Sequence, residues 1–228
     1  MQFTKEHPVV SALISTILIT PLLFFMYFAF EPRVVLSQSE EETFIIEQII
    51  GEEISFQVPP GDVEMDGTLG GLLGGISNGS TTFAVATNAP LGYQVEIAFT
   101  QADAMVNNAS STYFIPNLNP REFEFSTSTV AGSAGFAYTV TGGTHVDNFF
   151  ADDGDNCGTG SNYSADRCWF MEETATTPRI IVDSNSPTDG QGDETILYFR
   201  VAVDQNPSLQ LPTGTYTATA TLTAAPQT

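Results

Sequence analysis

The sequence predicts an all-β fold, a two-sheet antiparallel sandwich of the Ig-like or jelly-roll-like kind that follows one N-terminal hydrophobic helix. In the run YQVEIAF, residues 93–99, every second side chain is large and apolar, while Gln94 and Glu96 fall on the opposite face. This period of two is typical of a sheet with one buried side. About nine such runs, with turn residues between them and no helical stripe after residue 40, indicate a sandwich.

The N-terminal helix is predicted from an uncharged apolar run at residues 9–30. At about 1.5 Å per residue this run is long enough to cross a bilayer. Lys5 precedes it and Glu31 follows it, which favours an inside N-terminus and an exported remainder. Two interpretations stay open: a retained signal anchor, with membrane contact through residues 9–30, or a signal peptide cleaved near Ser37.

The domain organisation expected from these features is simple. Residues 1–37 form a signal peptide or signal anchor, and residues 38–228 form a single β-sandwich domain. The protein is then extracytoplasmic, either secreted or anchored in the membrane at the cell surface. The predicted strands are residues 43–50, 53–58, 81–87, 93–99, 122–125, 135–140, 179–183, 194–203 and 215–223, and the glycine-rich residues 67–79 are predicted to form a loop.

The charge balance excludes one class of partner. The chain has 27 acidic and 6 basic residues, a formal net charge of −21. A nucleic-acid-binding protein needs positive side chains opposite the phosphates, so no nucleic-acid partner is expected. Solubility and a general attraction for cations are the direct consequences of this charge.

Two cysteines, Cys157 and Cys168, lie in the glycine-rich acidic loop of residues 151–168. An even pair this close in an exported chain predicts one structural disulfide that closes the loop. The loop also holds oxygen donors of the kind that Ca²⁺ takes. These candidate calcium ligands are Asp152, Asp153, Asp155, Asn156 and Asp166. Their spacing does not match an EF-hand, and the alternative is a solvated loop without a metal.

The stretch Leu211-Pro212-Thr213-Gly214 matches the core of a sortase signal. The residues after it, TYTATATLTAAPQT, contain no basic residue and alternate threonine with mostly apolar side chains. Threonine favours strands, so we interpret Pro212 and Gly214 as the turn into a closing strand rather than as a wall anchor.

Three stretches carry a family resemblance: TTFAVATNAPLGYQVEIAF, DNCGTGSNYSADRCWF and LYFRVAVDQNPSLQLPTGTYTATATLTA. Together they resemble uncharacterised secreted bacterial β-sandwich surface proteins. More distantly they are similar to WxL-type cell-surface domains and to spore-coat-U-like, pilin-related sandwiches. The resemblance implies an envelope or extracellular protein without a catalytic role. WxL domains carry W-x-L sequences, whereas the single tryptophan here gives Trp169-Phe170-Met171.

We expect no enzymatic activity, because the chain lacks a G-x-S-x-G elbow and a phosphate-binding lysine motif. The expected function is a structural or assembling role at the cell surface, with self-association or a cell-envelope partner. The run 43–50 could pair with a neighbour's sheet edge or within its own sheet. The alternative function is a monomeric module that binds carbohydrate or a partner protein through its loops, with Tyr163 and Trp169 as candidate contacts.

Overall fold

Ten β-strands dominate the part of the chain that the structure describes, a computed structural model covering residues 8–29, 40–172 and 176–228. The predicted all-β sandwich is confirmed. A boundary between two compact units falls between Ile49 and Ile50. The elements are α1 (Pro8–Ala29), β1 (Ile54–Val58), β2 (Gly75–Thr87), β3 (Tyr93–Phe99), β4 (Met105–Asn107), β5 (Ser110–Ile115), β6 (Ala134–Thr141), a 3₁₀ turn η1 (Asn148–Phe150), β7 (Arg179–Ser184), β8 (Asp193–Val203), β9 (Tyr216–Thr217) and β10 (Ala220–Pro226).

The predicted hydrophobic helix is present as α1, a 22-residue helix that contains Pro21. The predicted cleavage site near Ser37 lies outside the described residues. Within the ranges described, no helix has the combination of length and hydropathy needed to cross a membrane.

The sandwich has one continuous sheet in its first layer, in the order β1-β2-β8-β6. The second layer consists of two three-stranded sheets, β10-β3-β7 and β5-β4-β9. Chain continuity joins them, since β3 leads into β4 and β9 leads into β10, and Thr100 N donates to Thr219 O between the two pairs. All strand pairs are antiparallel.

Aromatic rings fill the space between the two layers. Phe99 of β3 lies 6.1 Å from Phe136 and 6.0 Å from Tyr138 of β6, measured between ring centroids. Phe136 stacks in turn on Phe199 of β8 at 6.2 Å. These contacts follow from the period of two, which sends one face of each strand into the core. The core therefore rests on the alternation seen in the sequence.

Two predicted strands are wrong. Residues 43–50 form no strand, and their large apolar side chains are exposed. Residues 122–125 make only an isolated bridge from Glu122 to Trp169. The loop predicted at residues 67–79 ends earlier, because β2 begins at Gly75. The predicted strand 215–223 is interrupted between β9 and β10. The β4–β5 hairpin was not predicted.

A half-buried histidine predicts an acid sensitivity of the sandwich. His145 Nε2 lies 3.0 Å from Thr195 Oγ1 and 3.1 Å from the carbonyl oxygen of Glu194. Burial lowers the pKa of His145 below its ordinary value of 6.5. The unfolded state then binds a proton more readily than the folded state, so the free energy of unfolding falls as the pH drops below about 6.5.

We expect His145→Gln to flatten this pH dependence between about pH 6.5 and pH 5, where few carboxylates titrate. The measurement is urea denaturation of both proteins across that range. Parallel pH profiles for the wild type and the variant would contradict the assignment to His145.

Candidate functional site: the disulfide loop and the open edge

The disulfide predicted for the acidic loop is present. Cys157 and Cys168 are bonded at a Cα–Cα distance of 5.5 Å. Cys168 is fully buried and has a φ of 57°, in the left-handed region that few non-glycine residues adopt. Arg121 fastens the loop to η1, because its Nη2 donates to the Cys157 carbonyl at 3.0 Å and its Nη1 donates to the Phe149 carbonyl at 2.6 Å.

The candidate calcium donors of the loop face different partners. Asp153 Oδ1 accepts hydrogen bonds from the amides of Asp155 and Asn156 at 3.0 and 2.8 Å. These backbone bonds lower the pKa of the Asp153 carboxyl. Asp166 Oδ2 pairs with Arg167 Nη1 at 2.9 Å. Asp155 and Asn156 themselves are exposed. The carboxylates thus serve a turn and an ion pair.

Asp152 differs from the other donors because it is 3% exposed. Its Oδ1 accepts from Gly154 N at 3.0 Å, while its Oδ2 has no hydrogen-bond partner. Across the described ranges, no three His, Cys, Asp or Glu side chains come together to hold a metal ion. The calcium site stays a prediction.

Two arginine side chains contact one phenylalanine beside the loop. The guanidinium carbons of Arg121 and Arg179 each lie 4.1 Å from the Phe149 ring centroid. The same ring packs edge-on against Phe150 and Phe170, at 5.1 Å in each case. Burial and then the charge of Arg179 lower the pKa of Arg121. Phe149 therefore holds two like charges close together by cation–π attraction.

We expect Phe149→Leu to lower the free energy of unfolding by about 1–2 kcal/mol, since leucine fills much of the volume but offers no ring to either guanidinium. Urea denaturation measures the change. Phe44→Leu, at a side chain that is 82% exposed, is the matched control and should change stability by less than about 0.5 kcal/mol. Equal effects of the two substitutions would contradict a structural role for the Phe149 ring.

The structure buries the aromatic side chains predicted to contact a ligand. Trp169 is 1% exposed and packs against Phe125 at 6.0 Å and under the Arg200 guanidinium at 4.4 Å. Tyr163 is half-buried and packs against the core, and burial raises the pKa of its hydroxyl. A surface ligand has no access to the Trp169 ring in this conformation.

The open edge, defined as β9 and β10, is a second candidate site. β10 ends the order β10-β3-β7 and β9 ends the order β5-β4-β9, so neither strand pairs on its outer side within the residues that the structure describes. Along β10, Leu222, Ala224 and Pro226 are half-buried while the residues between them are exposed. β1 lies beside β10, and no hydrogen-bonded ladder joins the two strands in the part of the chain that the structure describes.

A groove of about 300 Å³, here called the edge groove, runs beside the open edge. One wall comes from residues 60–65, which follow β1 and are held to β2 by the bond from Gly61 N to Thr81 Oγ1 at 2.9 Å. The other wall is formed by residues 218–222 of the open edge. Core side chains form much of its lining, namely Phe99, Met105, Phe136, Leu197 and Phe199. These five side chains are themselves buried, between 1% and 8% exposed.

Residues 43–50, here called the apolar segment, are the most exposed apolar stretch after α1. Phe44, Ile45, Ile46, Ile49 and Ile50 have exposed fractions between 79% and 92%. Gly51 and Glu53, which follow the apolar segment, are tied to Asn88: Asn88 Nδ2 donates to Gly51 O at 2.9 Å, and Glu53 N donates to Asn88 Oδ1 at 2.7 Å. The chain is thus anchored where the apolar segment ends.

The chain matches no protein-family model, and no curated protein sequence matches it significantly. The resemblance to secreted surface sandwiches therefore stays an expectation from the quoted motifs.

The edge groove was not predicted from the sequence, because its lining comes from six separate strands and from residues 60–65. The residues of the apolar segment stand out in the sequence, but they were predicted to form a strand.

Proposed function

We propose that the protein is an exported, non-catalytic β-sandwich of the cell surface or the extracellular space, and that its copies associate to serve a structural role. One observation carries the proposal: the apolar segment presents five large apolar side chains to solvent, each at least 79% exposed. Contiguous exposed apolar surface of this kind marks interaction sites in soluble domains. Association of copies would bury these exposed side chains.

Export is supported by the covalent chemistry of the domain. The Cys157–Cys168 disulfide belongs to an oxidising compartment, and α1 is the apolar helix expected ahead of an exported domain. The net charge of −21 also sets the chain apart from proteins that bind nucleic acid.

Export is tested on cells that produce the protein. Antibody against the folded protein should bind intact cells or the culture medium, and alkylation of the chain under denaturing conditions should find no free thiol before reduction. Signal only after the cells are broken, or two reactive thiols, would contradict export.

The non-catalytic part of the proposal is supported by the role of His145. Its Nε2 is engaged by Thr195 Oγ1 and the Glu194 carbonyl, so the imidazole acts as a packing group between strands. The acidic side chains of the loop are likewise used in turns and an ion pair.

Association is tested with two full-length chains that carry different C-terminal tags and are produced in the same cells. After gentle detergent extraction, purification through one tag should recover the other tag in comparable amount. Recovery no higher than that of an unrelated tagged membrane protein would contradict the structural role.

A second function, a monomeric binding module, is favoured by one observation. A groove of about 640 Å³ lies beside the start of β9 and includes the Tyr216 side chain, whose hydroxyl donates to the Pro212 carbonyl at 3.0 Å. A tyrosine in a groove lined by both apolar and polar residues suits a carbohydrate or a peptide. Binding of the full chain to a glycan array, lost on Tyr216→Ala, would support this function. An array without signal would set the carbohydrate version aside.

A further inference from the structure

We infer that the acidic loop of residues 151–168 binds a calcium ion at the buried carboxylate of Asp152, with the side-chain amide oxygen of Asn162 as a second ligand. This site differs from the cluster predicted from the sequence, because its ligands are one buried carboxylate and one amide rather than the exposed carboxylates of the loop. Calcium binding here does not depend on whether copies of the chain associate.

Asp152 carries a buried carboxylate oxygen without a partner in the protein. The residue is 3% exposed, and its Oδ1 accepts one hydrogen bond, from Gly154 N at 3.0 Å. Its Oδ2 accepts none, and no ion pair among the described residues includes Asp152. Removing a carboxylate from water is strongly unfavourable unless its charge is paired or coordinates a metal ion. The free oxygen therefore points to a cation as the partner.

Two short antiparallel bridges set the direction of the Asp152 side chain. On one side Asp152 lies opposite Asn162 and exchanges two backbone hydrogen bonds with it, at 2.8 and 3.1 Å. On the other side Asp152 lies opposite Cys157. Residues that lie directly opposite each other in an antiparallel pair project to the same face. The side chains of Cys157, Asp152 and Asn162 therefore form one row, with the carboxylate in the middle.

This row offers oxygen ligands of the kind that Ca²⁺ takes. The Asp152 carboxylate supplies the negative charge. The Asn162 amide lies within reach of the same ion, because Cβ atoms of directly opposite residues are about 4.5–5.5 Å apart. Asn162 is exposed, so water reaches the ion from that side. Calcium takes six to eight oxygen ligands and accepts carboxylates, amides, backbone carbonyls and water together, so three acidic side chains are not required.

The composition of the site sets its expected affinity. Cys157 stands at the other end of the row and is bonded to the buried Cys168, so sulfur rather than a second carboxylate flanks Asp152 there. With one carboxylate, the site should bind calcium weakly, in the range of about 10⁻⁴–10⁻³ M found for extracellular modules. The net charge of −21 raises the local concentration of cations around the chain.

The test is isothermal titration of CaCl₂ into the chelator-treated full chain in mild detergent, together with thermal melting. We expect one calcium ion per chain. At about 5 mM CaCl₂ the melting temperature should be at least about 3 °C higher than in NaCl of the same ionic strength. The NaCl sample controls for general screening of the acidic surface.

Three variants locate the ion. Asp152→Asn removes the charge but keeps the shape and the acceptor for Gly154 N, and we expect it to abolish binding. Asn162→Ala removes the second ligand at an exposed position and should weaken binding at least about fivefold. Asp155→Asn is the matched control, because it makes the same change of charge at an exposed residue of the same loop. Its affinity should stay within about twofold of wild type.

A wild-type chain that takes up no calcium, or that is stabilised equally by CaCl₂ and NaCl, would overturn the inference. Equal losses of affinity in Asp155→Asn and Asp152→Asn would also overturn it, because binding would then belong to the exposed acids of the loop. If Asp152→Asn does not fold, Asn162→Ala decides the matter, and an unchanged calcium affinity in that variant would contradict the proposed ligands.

Discussion

Removal of the Cys157–Cys168 disulfide is expected to lower the free energy of unfolding by about 3 kcal/mol. The bond closes a loop with a sequence separation of 11, and the chain-entropy estimate for a loop of this size is about 3 kcal/mol. That is a large share of the roughly 5–15 kcal/mol that stabilises an ordinary domain. The acidic loop contains little apolar surface, so the covalent bond contributes much of its order.

The variant for this prediction is Cys157→Ala/Cys168→Ala. Alanine is preferred to serine because Cys168 is fully buried, and a buried hydroxyl would add a cost of its own. Urea denaturation of the variant is compared with that of the wild type before and after reduction. The reduced wild type and the variant should agree, and a difference from oxidised wild type below about 1 kcal/mol would contradict the prediction.

Replacement of Arg200 by methionine is expected to have a similar effect, about 3 kcal/mol. From β8, Arg200 Nε donates to Asn78 Oδ1 and Nη1 donates to the Phe125 carbonyl, both at 2.7 Å. Its guanidinium also lies 4.4 Å from the Trp169 ring. Methionine keeps the aliphatic length but leaves two acceptors unpaired, at about 1–3 kcal/mol for each that stays buried.

Two further substitutions separate this effect from a loss of charge. Arg200→Lys keeps the charge but not the planar donor pair, so we expect an intermediate loss. Arg167→Met removes an arginine whose partners Glu124 and Asp166 are 69% and 61% exposed, and exposed ion pairs contribute about 0–1 kcal/mol. Equal effects of Arg200→Met and Arg167→Met in urea denaturation would contradict the account.

The strands were predictable where alternation is regular. β3 begins and ends where the pattern in YQVEIAF predicts, because large side chains at every second position are buried on one face. The β4–β5 hairpin was not predicted because β4 has only three residues and ends at the turn formed by Asn108 and Ala109. A segment this short shows no clear alternation. The disulfide was predictable from spacing and from the expected compartment.

Other errors arose where a pattern has two physical outcomes. The large number of apolar side chains in residues 43–50 is compatible with a strand of the chain's own sheet and with an exposed segment. In the structure these side chains are exposed. Trp169 was expected near a ligand, but a large apolar ring following a buried cysteine packs more favourably in the core. The edge groove was not predictable because it depends on the order of the strands in each sheet. That order brings together residues that are far apart in the sequence.

Sedimentation velocity of the full chain in mild detergent tests most directly the claim that copies associate through the apolar segment. We predict a sedimentation coefficient that rises with protein concentration and with added salt, and that returns to the monomer value for Phe44→Ser/Ile46→Ser. Leu72→Ser/Leu73→Ser, at two exposed side chains outside the apolar segment, should associate nearly as well as the wild type. A wild-type chain that sediments as a monomer at every concentration and salt level would contradict the account.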